Sequence, residues 1–229
     1  MRLSIIIPAF NEEKTIHQIV ERVRSAPIGG MEKEIIVIDD GSSDKTLEIV
    51  KSMVGIKAFR HSANQGKGAA VKTGFLHSTG DICVIQDADL EYDPKDYPAL
   101  LAPILAGEAD VVYGSRFITD RPRRVMYFWH FLGNSFLTFF SNMLTNLNLS
   151  DMETGYKAFK KYIVEKMAPD LKAKRFGIEP ELTARVARMG ARVYEVGISY
   201  HGRSYEQGKK IGYKDGIAAL WHIIRFNIF

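Results

Sequence analysis

The chain has 229 residues, 46% of them hydrophobic and 25% charged, which excludes intrinsic disorder and allows one large domain with a substantial core. Its formal net charge of +4 and its isoelectric point of about 9.0 fit a phosphate-bearing ligand or an anionic membrane surface, and we expect no nucleic-acid partner. The single cysteine, Cys83, excludes an intramolecular disulfide and fits a reducing compartment. The N-terminal apolar run is shorter than that of a signal peptide, so we expect none.

Strands and helices alternate along the first half of the chain. Buried strands are predicted at 3–7, where Pro8 is expected to end the strand, and at 34–38 and 81–86, with a short strand at 56–60 and another strand at 109–115. Helices are predicted at 12–25 and 43–53, and in the stretch 64–78 after a glycine-rich turn. This alternation indicates an α/β fold whose sheet is mostly parallel, Rossmann-like and flanked by helices on both faces.

Three polar clusters directly follow predicted strands, at 8–12, 39–44 and 87–93. Ligands of parallel α/β sheets bind beyond the carboxyl ends of the strands, so we expect these clusters to meet at one edge. In the third cluster, carboxylates crowded together repel each other unless a cation compensates, and Mg²⁺ or Mn²⁺ suits oxygen ligands. Asp87 and Asp89 therefore predict a metal that bridges to a diphosphate, with a solvated acidic turn as the alternative.

The stretch 125–149 contains no Asp, Glu, Lys or Arg, and its polar and apolar residues separate at helical spacing. One stripe carries His130, Asn134, Thr138, Ser141 and Thr145, and the opposite stripe carries Trp129, Leu132, Phe136, Phe140, Met143 and Leu147. The pattern predicts one amphipathic helix, or two helices broken near Gly133. Such a helix either lies on a membrane or packs on the protein's own core.

Basic and apolar segments flank this helix in the sequence. Arg121, Arg123 and Arg124 precede it, where they would meet lipid phosphates. The apolar stretch at 217–229 is too short to span a bilayer, and we interpret it as a second interfacial segment or the stub of a longer chain.

The motifs SIIIPAFNEE, VIDDGSSDKT, NQGKGAAVKTG, DADLEYDP and GSRF, in this order, resemble family 2 glycosyltransferases of the GT-A fold. DMETGYKAF and GRSYEQGKKIGYKDG are similar to the polyprenyl-phosphate (dolichyl-phosphate) hexose synthases, and the resemblance runs from residue 3 to about 225. It implies an inverting transfer of mannose or glucose from GDP-mannose or UDP-glucose to a polyprenyl or dolichyl phosphate. It also implies a peripheral protein on the cytoplasmic face of a membrane, with a membrane-protein partner as one option.

The resemblance further implies a single GT-A domain over 1–229, in which 1–116 bind the nucleotide sugar and 117–229 form the acceptor and lipid-interface half. It assigns the nucleoside pocket to Pro8, Phe10, Glu12, Ile38 and Asp40. It assigns the diphosphate and the Mg²⁺ or Mn²⁺ ion to Asp87, Ala88 and Asp89, with Glu91 as a further metal ligand. It makes Asp89, Arg116, Arg203 and Lys209 catalytic, with Arg116 on phosphate and the last two closing over the donor diphosphate.

The chain departs from the family pattern at two of these positions. Phe10 stands where the family often has Tyr, and Glu91 stands where mannose synthases commonly have Gln.

Two other functions are rivals to the transfer of a hexose to a lipid phosphate. The first rival is a family 2 transferase that acts on a sugar hydroxyl. Such an enzyme needs a general base, for which Asp151 is the candidate and Glu153 lies nearby. The second rival is a non-catalytic module that binds a nucleotide sugar or a lipid.

Overall fold

The structure is a computed structural model that describes residues 1–118, 125–202 and 213–228, without the side chains of 213–215. In these ranges the strands are β1 (Arg2–Ala9), β2 (Glu32–Asp39), β3 (Ile56–Arg60), β4 (Ile82–Ile85), β5 (Val111–Ser115), β6 (Lys157–Lys160) and β7 (Val193–Gly197). The helices are α1 (Ile16–Ser25), α2 (Thr46–Ser52), α3 (Lys67–His77), α4 (Tyr97–Leu105), α5 (Phe128–Thr145), α6 (Lys161–Met167), α7 (Ile178–Arg188) and α8 (Tyr213–Ile228).

These strands form one sheet in the order β3-β2-β1-β4-β6-β5-β7. Only β6 runs antiparallel to its neighbours β4 and β5, which confirms the predicted mostly parallel α/β sheet. Side chains of β1 are buried on both faces: Ile5 and Ile7 pack in the core beneath α1 and α4, and Ile6 packs beneath α3. A central strand of a sheet covered on both sides requires such a continuous apolar run.

The prediction that Pro8 ends the first strand is wrong. β1 continues to Ala9, and Pro8 lies opposite Ile38 of β2. Proline has no N–H to donate, so a strand tolerates it where no partner needs that donor. β4 pairs with β1 only from Leu3 to Ile6, and Pro8 therefore lies beyond the paired part of β1 on that side.

The amphipathic stretch forms one helix, α5, which continues through Gly133 without a break. Its polar stripe faces inward, with Asn134, Thr138 and Ser141 buried against the domain. Its apolar stripe faces outward, and Trp129 is 77% exposed. This orientation is the reverse of an ordinary surface helix, which turns its apolar stripe toward the core.

Two residues of the predicted apolar stripe do not face outward with the rest of it. Phe140 and Leu147 are partly buried against the core, whereas Phe139 is exposed. α5 packs beside α8, which buries Ile223 and exposes Trp221. Among the described residues, every helix is too short or too polar to cross a bilayer.

Candidate active site

The three polar clusters meet at the carboxyl edge of the sheet, because β2, β1 and β4 are neighbours. The first two clusters are hydrogen-bonded to each other. The backbone N of Asn11 donates to Ser42 Oγ at 3.0 Å, and the Asn11 Oδ1 accepts from the backbone N of Ser43 at 2.9 Å. Asn11 has a φ of 56°, a left-handed conformation that asparagine tolerates better than most residues. The predicted convergence of these clusters is therefore present in the structure.

The third cluster, which we call the acidic turn (residues 87–93), begins with a carboxylate that is tied to a lysine. Lys67 Nζ lies 2.8 Å from Asp87 Oδ1 and 3.0 Å from Glu179 Oε1. Burial opposes the charge of Lys67, but Asp87 and Glu179 overcome it and hold the pKa of Lys67 well above its usual value. Lys67 thus remains a cation beside the acids.

Glycines allow this ion pair to form. Gly66, just before Lys67, has a φ of 99°, and a Cβ there would lie 2.4 Å from the Lys174 carbonyl oxygen. A Cβ at Gly155 would lie 2.5 Å from Asp87 Oδ2. Any larger residue at either position would displace the backbone or the carboxylate. The glycine-rich turn (residues 64–68) therefore positions Lys67 through close backbone packing.

Asp89 and Glu91 are joined within the acidic turn. Asp89 Oδ1 accepts a hydrogen bond from the Glu91 backbone N at 3.0 Å, and Glu91 Oε2 accepts one from the Tyr200 hydroxyl at 3.0 Å. Among the described residues, no three His, Cys, Asp or Glu side chains come together as a metal cage. Mg²⁺ usually takes one or two carboxylates and completes its shell with water and substrate phosphates. The partly exposed Asp87 and Asp89 fit that kind of site.

Two residues predicted to line the nucleoside pocket are engaged inside the protein. Asp40 accepts hydrogen bonds from the backbone N of Gln65 at 3.0 Å and of Gly66 at 2.7 Å, and it lies 2.6 Å from His61 Nδ1. The Ile38 side chain is fully buried in the core. The Asp40 carboxylate thus stabilises the glycine-rich turn. Its contact with a base or ribose stays a prediction.

Asp39, beside Asp40, differs in its contacts. Its Oδ2 is buried and accepts no hydrogen bond from the described residues, although Arg60 Nε lies 3.4 Å away. A buried oxygen with this deficit can accept an N–H from a ligand. The other predicted pocket residues lie at the ends of β1 and β4. Pro8, Phe10 and Glu12 are at least partly exposed, and Ala88 is buried.

Arg116, predicted to contact phosphate, is paired inside the protein. It is 8% exposed, its Nε and Nη2 each lie 2.7 Å from an oxygen of Asp151, and Nη2 also donates to Asn134 Oδ1 at 3.1 Å. Burial disfavours the Asp151 anion, but Arg116 outweighs burial and holds the pKa of Asp151 below its usual value. This pair connects the end of β5 to α5.

Two further ionisable residues have shifted pKa values: Glu153, which the sequence places near the candidate base Asp151, and Lys157, which the sequence analysis does not place in the site. Burial and the nearby Glu179 raise the pKa of Glu153 to about 8, and its Oε1 is buried without a hydrogen-bond partner among the described residues. Burial lowers the pKa of Lys157 to about 8, and its Nζ donates to the Met152 carbonyl at 3.1 Å. Glu179 and Lys67 are far apart in the chain, so no local motif reveals their contact.

The remaining predicted residues lie outside the described ranges. These are Arg203 and Lys209 of the proposed donor site, and Arg121, Arg123 and Arg124 of the proposed lipid contact.

The fold is a mostly parallel α/β sheet with polar side chains gathered at its carboxyl edge, and comparison with known proteins places it in a family. Residues 4–168 match Glycosyl transferase family 2, and the chain belongs to that family. It is 30% identical to the UDP-N-acetylglucosamine–dolichyl-phosphate N-acetylglucosaminyltransferase of Methanococcus voltae, over 75% of this chain and 74% of the relative. It is 26% identical to the dolichol-phosphate mannosyltransferase of Pyrococcus furiosus, over 92% of this chain and 61% of the relative. These similarities confirm the resemblance seen in the motifs.

A solved structure supports the fold independently. Glucosyl-3-phosphoglycerate synthase from Mycobacterium tuberculosis, in complex with Mg²⁺ and UDP, superposes with a TM-score of 0.74 at 20% identity. The match covers 99% of this chain and 79% of the other. The chain therefore has the predicted GT-A fold and is a family 2 glycosyltransferase.

Proposed function

We propose that this glycosyltransferase moves a hexose or hexose derivative from a nucleotide sugar to a polyprenyl phosphate at a membrane surface. The observation that carries the proposal is the reversed orientation of α5. A domain that buries the polar stripe of a helix and leaves its aromatic stripe in water exposes an apolar patch, and such patches mark sites of interaction. Phe136 of this stripe and the neighbouring Phe139 are 56% and 67% exposed.

The position of α5 connects this patch to the reaction site. Asn134, on the inward stripe, donates to Asp151 Oδ1 at 3.3 Å and accepts from Arg116 Nη2 at 3.1 Å. Arg116 directly follows β5, at the edge where ligands of parallel sheets bind. A lipid whose chain lies along the outer face of α5 would thus reach the edge of the sheet with its phosphate. The relatives named above act on dolichyl phosphate, which agrees with this acceptor.

The donor would occupy the carboxyl edge of β2, β1 and β4. We propose that Asp39 accepts an N–H of the nucleobase, because its buried Oδ2 is ion-paired with Arg60 at 3.4 Å but accepts no hydrogen bond from the described residues, and that Phe10 supplies an apolar surface beside it. Pro8 and Glu12 would complete the nucleoside pocket. Arg203 and Lys209 would neutralise the leaving diphosphate.

Asp89 and Asp87 would hold a Mg²⁺ or Mn²⁺ ion, which, when bound, neutralises the diphosphate of the donor and of the leaving group. Asp87 already balances Lys67, so this part of the site contains a cation and two carboxylates before any ligand arrives. The chain itself would orient the donor, exclude water and hold the acceptor phosphate in line with the sugar carbon.

A phosphate acceptor explains why a strong general base is not required. The second ionisation of a phosphate monoester lies near pH 6, so the attacking oxygen already carries charge at neutral pH. Asp151, the base predicted for a hydroxyl acceptor, is fully buried and bound to Arg116 through both oxygens. A carboxylate held in this way has no accessible oxygen with which to take a proton from a substrate.

One observation favours a second candidate, transfer to a sugar hydroxyl. The pKa of about 8 at Glu153 suits a general base near neutral pH. Both candidates are tested by incubating the protein with labelled nucleotide sugars, Mn²⁺ and a short polyprenyl phosphate. Label in the lipid extract supports the phosphate acceptor, label in a polar glycan supports the hydroxyl acceptor, and donor binding without turnover supports a binding module. A panel of GDP and UDP donors in the same assay assigns the base and the sugar.

A further inference from the structure

The segment that follows β7 is hydrogen-bonded to the end of the acidic turn and to Asp96 just after it. Ser199 donates its backbone N–H to Asp96 Oδ2 at 2.7 Å, and His201 donates its backbone N–H to the Glu91 carbonyl oxygen at 2.9 Å. Tyr92 and Tyr200 form an isolated antiparallel bridge between these two contacts. Residues 199–202, which we call the β7 extension, therefore lie beside residues 91–96, which directly follow the proposed metal ligands Asp87 and Asp89.

Tyr200 links this extension to the acidic turn through its side chain. The Tyr200 hydroxyl donates to Glu91 Oε2 at 3.0 Å. Its ring lies 5.7 Å from the Tyr92 ring and 5.3 Å from the Arg116 guanidinium carbon, so the ring is held on two sides. A Cβ at Gly202 would lie 2.8 Å from the Tyr200 ring, which places the backbone of the extension against the same ring.

The contact continues from Glu91 to Asp89. Asp89 Oδ1 accepts the Glu91 backbone N–H, and Leu90 between them has a φ of 66°. A residue other than glycine adopts this left-handed conformation only when its surroundings require it. Fixing Glu91 from both its backbone and its side chain therefore also fixes the carboxylate of Asp89.

We propose that Tyr200 is a positioning residue that holds the Glu91 carboxylate on the β7 extension, so that Glu91 tethers the acidic turn and orients Asp89 and is not itself a metal ligand. The proposal rests on the proposed donor site and names the residue that sets the geometry of that site. Burial and the neighbouring Glu91 and Tyr92 raise the pKa of Tyr200, so its hydroxyl stays protonated and remains a donor over the working pH range.

The two possible roles of Glu91 differ in what they demand of the side chain. A tether needs an oxygen that accepts from Tyr200, and the amide oxygen of glutamine supplies one. A metal ligand also uses the negative charge, because the neutral amide oxygen of glutamine binds a divalent cation more weakly than a carboxylate does. Glu91→Gln therefore separates the roles, whereas Glu91→Ala removes both. Tyr200→Phe removes only the hydroxyl and keeps the packed ring.

The experiment measures Mn²⁺ affinity by electron paramagnetic resonance in the presence of UDP or GDP, and amide exchange of residues 197–202 by mass spectrometry. We expect Glu91→Gln to bind Mn²⁺ with an affinity within about threefold of that of the parent protein. The amides of residues 197–202 should stay as protected from exchange as in the parent. Tyr200→Phe and Glu91→Ala should each raise the donor KM about tenfold and lose protection in the extension. The double variant should be no worse than either single one, because the residues act as a unit.

Tyr194→Phe, the same change at an exposed tyrosine of β7, is the matched control and should change none of these values. A loss of Mn²⁺ affinity of tenfold or more in Glu91→Gln, with Tyr200→Phe unchanged, would overturn the proposal and make Glu91 a metal ligand. Additive effects in the double variant would also overturn it. The Mn²⁺ and exchange measurements need no acceptor, so failure of lipid transfer leaves them informative.

Discussion

The Arg116 guanidinium and the Asp151 carboxylate form a buried two-point ion pair, in which Nε lies 2.7 Å from Oδ2 and Nη2 lies 2.7 Å from Oδ1. Asn134 of α5 bonds to both partners. The pair therefore holds the apolar-faced helix at the end of β5 and occupies the carboxylate that a hydroxyl acceptor would need as a base. Its loss should affect the fold before it affects chemistry.

The first prediction is that Asp151→Asn lowers the free energy of unfolding by roughly 3 kcal/mol, because the Arg116 charge stays buried without a counter-charge. Urea unfolding measures the change. Asp170→Asn, at an exposed aspartate, is the control and should stay within about 0.5 kcal/mol of the parent. Full stability of Asp151→Asn combined with loss of transfer would instead identify Asp151 as a base.

The second prediction concerns the proposed metal ligand. Asp89→Ala should abolish transfer while circular dichroism and the melting temperature stay near those of the parent, because Asp89 is partly exposed at the end of β4. Asp89→Asn should retain partial activity that rises with metal concentration, since the amide oxygen is a weaker ligand. Undiminished turnover of the parent protein in excess EDTA would contradict a metal role.

The third prediction tests the apolar face of α5. Replacing Phe136 and Phe139 by Ser should weaken binding to phospholipid vesicles even at high salt, because burial of apolar area is not screened by ions. Stability should change little, since both rings are already exposed. Phe140→Ser is the matched control: that ring packs on the core, so its loss should lower stability with little effect on vesicle affinity.

A different result would redirect this interpretation. If the Phe136 and Phe139 changes unfold the protein and leave vesicle affinity intact, the helix is part of the core. The electrostatic contribution of the arginines to membrane binding can be tested separately by replacing Arg121, Arg123 and Arg124 with Gln. That change should reduce binding to anionic vesicles and its salt sensitivity, since each arginine near such a surface contributes about 1 kcal/mol.

The fourth prediction follows from the raised pKa of Glu153, about 8 against a usual 4.5. The folded protein keeps a proton that the unfolded chain releases, so this contribution to stability is full below pH 4.5 and is lost as the pH rises to 8. Glu153→Gln should therefore be most stabilising, relative to the parent, near pH 7.5 and least near pH 5. Urea unfolding at both pH values measures the difference. The lowered pKa of Lys157 acts above about 8 and so leaves this window unaffected.

An equal effect of Glu153→Gln at pH 5 and pH 7.5 would mean that Glu153 titrates normally in the folded protein. That result would also weaken the hydroxyl-acceptor candidate, because its base would then have an ordinary acidic pKa.

The sheet and the meeting of three polar clusters could be predicted because each depends on local pattern and a general rule. Continuous apolar runs such as Ile5–Ile7 identify strands buried on both faces, and parallel strands bring their carboxyl ends together. The periodicity of α5 was equally visible, but a stripe pattern does not say which stripe faces the domain. Only the buried Asn134 and the exposed Trp129 decide that.

The ion pairs and hydrogen bonds of the site could not be predicted, because they join residues that are distant in the chain. Nothing near Arg116 in sequence indicates that Asp151 will neutralise it, and the motif around Asp87 does not reveal Lys67. Asp40 stands at a strand end like a ligand contact, yet it accepts hydrogen bonds from the glycine-rich turn. In each case an acidic side chain near the site forms an ion pair or accepts a hydrogen bond from a residue of another element.

The acceptor phosphate is the central claim, and a pair of matched lipids tests it most directly. Polyprenyl phosphate and the corresponding polyprenol differ only in the phosphate, so both should reach α5 equally. With the best donor and Mn²⁺, we predict labelled glycolipid from polyprenyl phosphate and none from polyprenol. Equal labelling of both lipids, or label only on a sugar hydroxyl when a glycan is supplied, would contradict the claim.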